Sequence, residues 1–177
     1  MFLIRPESAG LQKTVGVVTS RIQGPFDFIM ASLATGFGSG MAPYMPGTFG
    51  TLVGLPIAWC LETFGNRPIT QIVACIVLFL VGIPICSQGE RIFGRKDPGE
   101  VVWDEIAAMP LVYLFVPFTL VTCLVGFVWF RVFDISKPWP VKKLESIGGG
   151  FGIMADDTIA ALMAAGTTWI TMLLIPV

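Results

Sequence analysis

The sequence predicts an all-α integral membrane protein. The expected bundle has three full spans, a re-entrant hairpin of two short helices over 106–130, and an irregular Gly/Pro loop over 36–51. Three observations carry this. Hydrophobic residues make up 54% of the 177 residues and charged residues 13%, about half the charged share of a soluble domain. Mean hydropathy is +0.79. Uncharged runs alternate with short charged segments, and the runs Ile69–Cys86 and Thr158–Val177 are each long enough to cross a hydrocarbon core. The length fits one membrane-embedded catalytic domain over 25–177, preceded by a cytoplasmic tail over 1–24 that lacks a signal-peptide apolar core.

Along the chain, Phe26 to Phe37 suits a short helix, with Phe26, Ile29, Leu33 and Phe37 on one side, either lying at the interface or packing as an ordinary helix. The stretch 36–51, GFGSGMAPYMPGTFGT, has no charge and is punctuated by glycines and by Pro43 and Pro46. It reads as irregular backbone, which membrane depth tolerates only under cover of protein or in a wet cavity. Its freed N–H groups, with the Thr48 and Thr51 hydroxyls, suit an anion. A purely structural turn is the alternative. Leu52–Phe64 is a short first span broken by Pro56, and GNRP over 65–68 a tight turn. Ile69–Cys86 is the second span, and Thr158–Val177 the last.

The run 106–130 is uncharged and lies between two charged segments, 97–105 and 131–157. One straight helix there would hold those segments roughly 30 Å or more apart. If they form one site, the run goes in and comes back, turning near Phe115-Val116-Pro117-Phe118, because Pro117 disfavours helix at Val116. A single span kinked at Pro110 and Pro117 is the alternative. The hairpin places Arg5, Lys13, Arg21, Arg91, Arg95, Lys96, Arg131, Lys137, Lys142 and Lys143 on one side and Arg67 alone on the other. That asymmetry makes the site side cytoplasmic.

The segment FRVFDISKPWPVKKLESIGGGFGIMADD, 130–157, gathers eight charges in a chain that has 11 basic and 12 acidic residues. The prolines of KPWP end a helix near Asp134 and Lys137. Asp156 and Asp157 precede an apolar run, where they suit a cap and a first-turn acid. Asp97, Asp104, Glu105, Asp134, Asp156 and Asp157 are the candidate metal ligands. All are carboxylates, which favours a hard cation, Mg2+ by preference. Of these, Asp97, Glu105, Asp134 and Asp157 are the candidate catalytic acids. Arg131, Lys137, Thr48 and Thr51 are candidates for holding phosphate. For Asp104 and Glu105 a plain first-turn role stands beside the ligand role, and for Arg131 and Asp134 a structural ion pair. Trp103, Trp129 and Trp139 suit an interfacial belt, and Glu90, Glu100 and Glu145 a solvated surface.

Several functions are excluded. Without histidine there is no histidine base, phosphohistidine or histidine-bound zinc, and a net charge of −1 gives no case for nucleic acid. Cys60, Cys75, Cys86 and Cys123 lack paired spacing and read as buried thiols. Cys86 and Arg91 are one residue too close for a cysteine-phosphatase loop. The residues by themselves support a cytoplasm-facing Mg2+ site for a phosphorylated, membrane-borne ligand.

Four segments also resemble the phosphatidylglycerophosphatase A family, in family order: PGTFGT (46–51), DPGEVVWDE (97–105), FRVFDISKPWP (130–140) and GGGFGIMADDTIAA (148–161). The resemblance implies a Mg2+-dependent, helical enzyme of the bacterial inner membrane. It implies hydrolysis of phosphatidylglycerophosphate to phosphatidylglycerol and phosphate, the last step of phosphatidylglycerol synthesis. Attack by a metal-activated water is the expectation from the residues, with a phosphoaspartyl route as alternative. A small ion transporter or channel is the rival of another class; its acids would lie within spans, whereas these cluster in loops. A CDP-alcohol phosphotransferase is disfavoured by the missing DGxxAR signature.

Overall fold

The computed structural model describes residues 21–63 and 69–175, and among them there are seven α-helices, one 3-10 turn and no strand. The tail over 1–20 with Arg5 and Lys13, and the 65–68 turn with Arg67, lie outside the described residues. The helices are α1 Pro25–Ala34, α2 Pro46–Thr63, α3 Ile69–Phe93, α4 Trp103–Val112, α5 Leu120–Ser136, α6 Val141–Glu145 and α7 Gly149–Leu174. Two of them, α3 and α7, are long and apolar enough to cross a membrane. α4 lies between α2, α3 and α7, and α7 packs on α3, α4, α5 and α6. These two helices carry the acids of the site.

The irregular stretch expected over 36–51 is shorter than that. Residues 35–45 are irregular apart from the turn Ser39–Met41, but PGTFGT opens α2. Pro46 stands at the helix start, where its fixed φ is preorganised and its missing N–H costs nothing. The glycines behind it serve close packing: a Cβ at Gly47 would collide with the Glu105 carboxylate.

The last span also begins earlier than expected. α7 starts at Gly149, so Asp156 and Asp157 sit in its third turn instead of capping it. The run GGGFG is helical here from Gly149 on and lets α7 press on α3. A Cβ at Gly150 would overlap the Ile83 carbonyl, and the Gly150 N–H donates to Ser87 Oγ at 3.0 Å. α3 likewise runs on past Cys86 to Phe93.

Between Val112 and Leu120 the helix breaks, as expected around Pro117. Thr119 caps α5 through a reciprocal capping box with Thr122. The break lies at the same end as the C-terminus of α2, since the Phe118 N–H donates to Glu62 Oε2 at 2.5 Å. The charged ends of α4 and α5 therefore meet at the other end.

α1 is tied down by Asp27, a buried acid that the sequence reading passed over. Its Oδ1 accepts from Gln88 Nε2 at 2.6 Å and Arg91 Nη2 at 2.5 Å, and its Oδ2 from the Gln23 N–H at 3.0 Å. Phe26, Phe28 and Ile29 on α1 stay exposed, as does the apolar face of α3. Of the tryptophans expected in an interfacial belt, Trp139 is exposed. Trp103 and Trp129 are instead partly buried helix contacts, donating to the Leu78 carbonyl at 3.4 Å and Thr171 Oγ1 at 3.1 Å. A buried indole needs such a partner.

Candidate active site

Three carboxylates from two helices converge. Asp104 and Glu105 open α4, Asp157 lies inside α7, and one oxygen from each falls within 4.8 Å of the others. The chain brings them together because α4 and α7 pack side by side with small residues at the contact: Ala160, Ala161 and Ala164 are fully buried against Ala108 and Met109.

Among the described residues, Asp104 Oδ1, Glu105 Oε2 and Asp157 Oδ2 are buried with no hydrogen-bond partner. Burial first, and then the charge of Glu105, pushes the Asp104 carboxyl well above the usual range; burial first, and then the charge of Asp157, does the same to Glu105. Their carboxylate oxygens also lie within 4.8 Å of each other. Two ionised carboxylates hold such a contact only with a proton or a cation between them. Unpartnered, all-oxygen and clustered, this donor set fits a hard divalent cation.

The cationic wall comes from α5. Arg131 Nη1 lies 2.6 Å from Asp134 Oδ2, one turn along the same helix, and 3.8 Å from Glu105 Oε1. It also donates to Thr51 Oγ1 at 3.4 Å, while the Thr51 hydroxyl donates to the Gly47 carbonyl at 2.7 Å. With that proton committed, Thr51 steadies Arg131 and does not face an anion as a donor. Thr48 Oγ1 is buried and has no partner among the described residues.

A second ion cluster adjoins the first. Lys137 caps α5 in the left-handed conformation, φ 42°, and its Nζ lies 3.0 Å from Asp156 Oδ2 and 3.9 Å from Asp97 Oδ2. Asp97 has φ 44°, and its N–H donates to Glu90 Oε1 at 2.9 Å. Glu90 is thus a loop anchor, and Glu100 pairs with Arg95; neither is simply solvated.

Of the six candidate ligands, the structure gathers Asp104, Glu105 and Asp157 around one point. Asp134 is engaged with Arg131, and Asp97 and Asp156 with Lys137. The sequence reading missed Gly47 as a wall of the site. The signal was present, since Pro at a first helical position marks PGT as a helix start.

The sequence profile of the phosphatidylglycerophosphatase A family matches residues 32–172. The chain is 38% identical over 136 residues to phosphatidylglycerophosphatase A of Escherichia coli, covering 76% of this chain and 78% of that one. It is 37% identical over 134 residues to phosphatidylglycerophosphatase A of Haemophilus influenzae, covering 75% and 82%. A Bacteroides thetaiotaomicron relative, 36% identical with 76% and 88% covered, carries a provisional name as a phosphatidylinositol-3-phosphatase. No solved structure matches. The match spans the helices that hold every carboxylate of the cluster, and the chain belongs to the phosphatidylglycerophosphatase A family.

Proposed function

We propose that the chain is a membrane phosphatase that converts phosphatidylglycerophosphate to phosphatidylglycerol and inorganic phosphate at a Mg2+ site formed by Asp104, Glu105 and Asp157. The observation that carries this, beside family membership, is the convergence of three buried carboxylates with unpartnered oxygens next to a guanidinium. Bound there, Mg2+ supplies positive charge to a phosphoryl oxygen and acidifies a water molecule.

The chain's own groups do the positioning. Arg131, held by Asp134 and Thr51, presents charge to the phosphoryl oxygens; planar and always protonated, it suits that task. The N-terminus of α2 abuts the cluster at Gly47, adding a helix end that favours an anion. Lys137, held by Asp156, provides a second cation at the rim. Burial of the cluster limits water, which strengthens each of these interactions.

In this reading α2, α3 and α7 span the bacterial inner membrane, and α4 with α5 forms a hairpin that enters and returns. α4 itself is only about 15 Å long, and the irregular residues after it carry the chain to the far end of α2 before α5 brings it back. Arg21, Arg91, Arg95, Lys96, Arg131, Lys137, Lys142 and Lys143 lie at or near the carboxylate end, which supports a cytoplasmic site.

Phosphate release from phosphatidylglycerophosphate by the purified protein in detergent tests the proposal. Release with Mg2+ and none with chelator is expected. Equal release in chelator would remove the metal. Faster release from phosphatidylinositol 3-phosphate would move the substrate to the other name found among the relatives.

A further inference from the structure

We propose that one acyl chain of the lipid substrate lies in an apolar groove between α3, α4 and α7, immediately below the carboxylate cluster. The groove encloses about 350 Å³, and Ile72, Cys75, Ala108, Leu111, Thr158 and Leu162 are among its lining residues. It is continuous with the site through both helices that carry the acids. On α4, Asp104, Ala108 and Leu111 follow one another at helical spacing on one stripe, with the acid at the top. On α7, Thr158 directly follows Asp157, and Leu162 lies one turn further on. From Asp104 to Leu111 the stripe descends about 10 Å at 1.5 Å per residue, a large part of a leaflet whose hydrocarbon depth is about 15 Å. Ile72 and Leu162 stay partly exposed, so the groove opens sideways towards lipid.

A lipid tail gains little by leaving the bilayer for an equally apolar groove. The gain is geometric. A tail seated below Asp104 fixes the depth and direction of its own headgroup, so the phosphate arrives between the carboxylates and Arg131 already oriented. This rests on the phosphatase reading, and it gives the groove a definite occupant, an acyl chain of that same molecule.

The experiment has two arms. In the first, Leu162→Trp and Ile72→Trp, which fill the lower end away from every charged group, are assayed on dioleoyl and dihexanoyl phosphatidylglycerophosphate. A loss of kcat/KM of about tenfold or more on the dioleoyl lipid is expected, with a clearly smaller loss on the dihexanoyl lipid, whose tails end near Leu162 and leave the deeper part of the groove unused. Equal losses on both lipids, or no loss, would overturn the proposal. In the second arm, phosphatidylglycerophosphate carrying a mid-chain diazirine is photolysed with the protein in chelator, where no turnover is needed. Adducts concentrated at Cys75, Leu111 and Leu162 are expected, in excess over Val73 and Val77 on the exposed face of α3. Even labelling would overturn the groove. If no lipid phosphate were released at all, the phosphatase reading would fail in the first arm while the second still decided the groove.

Discussion

The Arg131 guanidinium lies 3.8 Å from the Glu105 carboxylate, although most of two helices and the turn between them separate the residues in the chain. That single approach requires the chain over 106–130 to reverse. It also puts a fixed cation beside acids whose other oxygens have no partner.

Asp157→Asn should lower phosphate release by at least about a hundredfold, more than the loss from disturbing a residue behind a metal ligand. The variant should still fold, because Asp157 Oδ2 accepts no hydrogen bond from the described residues. Activity near that of the parent would remove Asp157 from the site.

Asp134→Asn separates bracing from ligation. It loses the 2.6 Å ion pair that orients Arg131, so phosphate release should collapse while membrane insertion persists. Mg2+ binding, read as thermal stabilisation in detergent, should survive, since Asp134 stands outside the three-carboxylate group. Loss of Mg2+ stabilisation would make it a ligand.

Arg131→Lys keeps the charge but shortens the side chain and loses Nη1, the one atom that reaches Thr51, Asp134 and Glu105. A rise in KM and a fall in kcat of about tenfold or more are expected from steady-state kinetics. Parent-like kinetics would mean that only the charge matters.

Gly47→Ala places a methyl group against the Glu105 carboxylate and Arg131 Nη1. Helix propensity favours alanine by about 1 kcal/mol, so a gain in stability is the outcome if packing there is loose. The close approach predicts the reverse, a lower melting temperature and impaired activity together.

For the metal-free protein, the raised carboxyls of Asp104 and Glu105 set the sign of the pH dependence. The folded state holds these protons to higher pH than the unfolded chain does. Their contribution to stability is therefore complete below the ordinary carboxylate pKa of about 4 and is lost as pH rises through the raised values. Melting in chelator should fall with rising pH. Mg2+ competes with those protons, so its stabilising shift should grow with pH. A shift of constant size from pH 5 to pH 8 would contradict this.

The composition, the two long uncharged runs and the break near Pro117 were all legible, because a residue's affinity for lipid or water and proline's backbone limits act locally. So was the chemical type of the candidate ligands, all of them carboxylates with no imidazole in the chain. The glycine-rich stretches were misread for an identifiable reason. Glycine marks both a turn and a close helix contact, and Gly47 and Gly150 serve the second use, against Glu105 and Ile83. Once those helices extend, Asp156 and Asp157 move from a helix start into the middle of α7.

By itself the sequence determined the long apolar helices and an all-oxygen set of candidate ligands, because burial preference and ligand hardness belong to residues one at a time. Which acids converge was decided only by the tertiary structure. Asp104, Glu105 and Asp157 meet because α4 and α7 pack closely across small residues, whereas Asp97, Asp134 and Asp156 are drawn off by Arg131 and Lys137. Distances of a few ångströms between remote segments depend on how helices cross, and no local pattern encodes that.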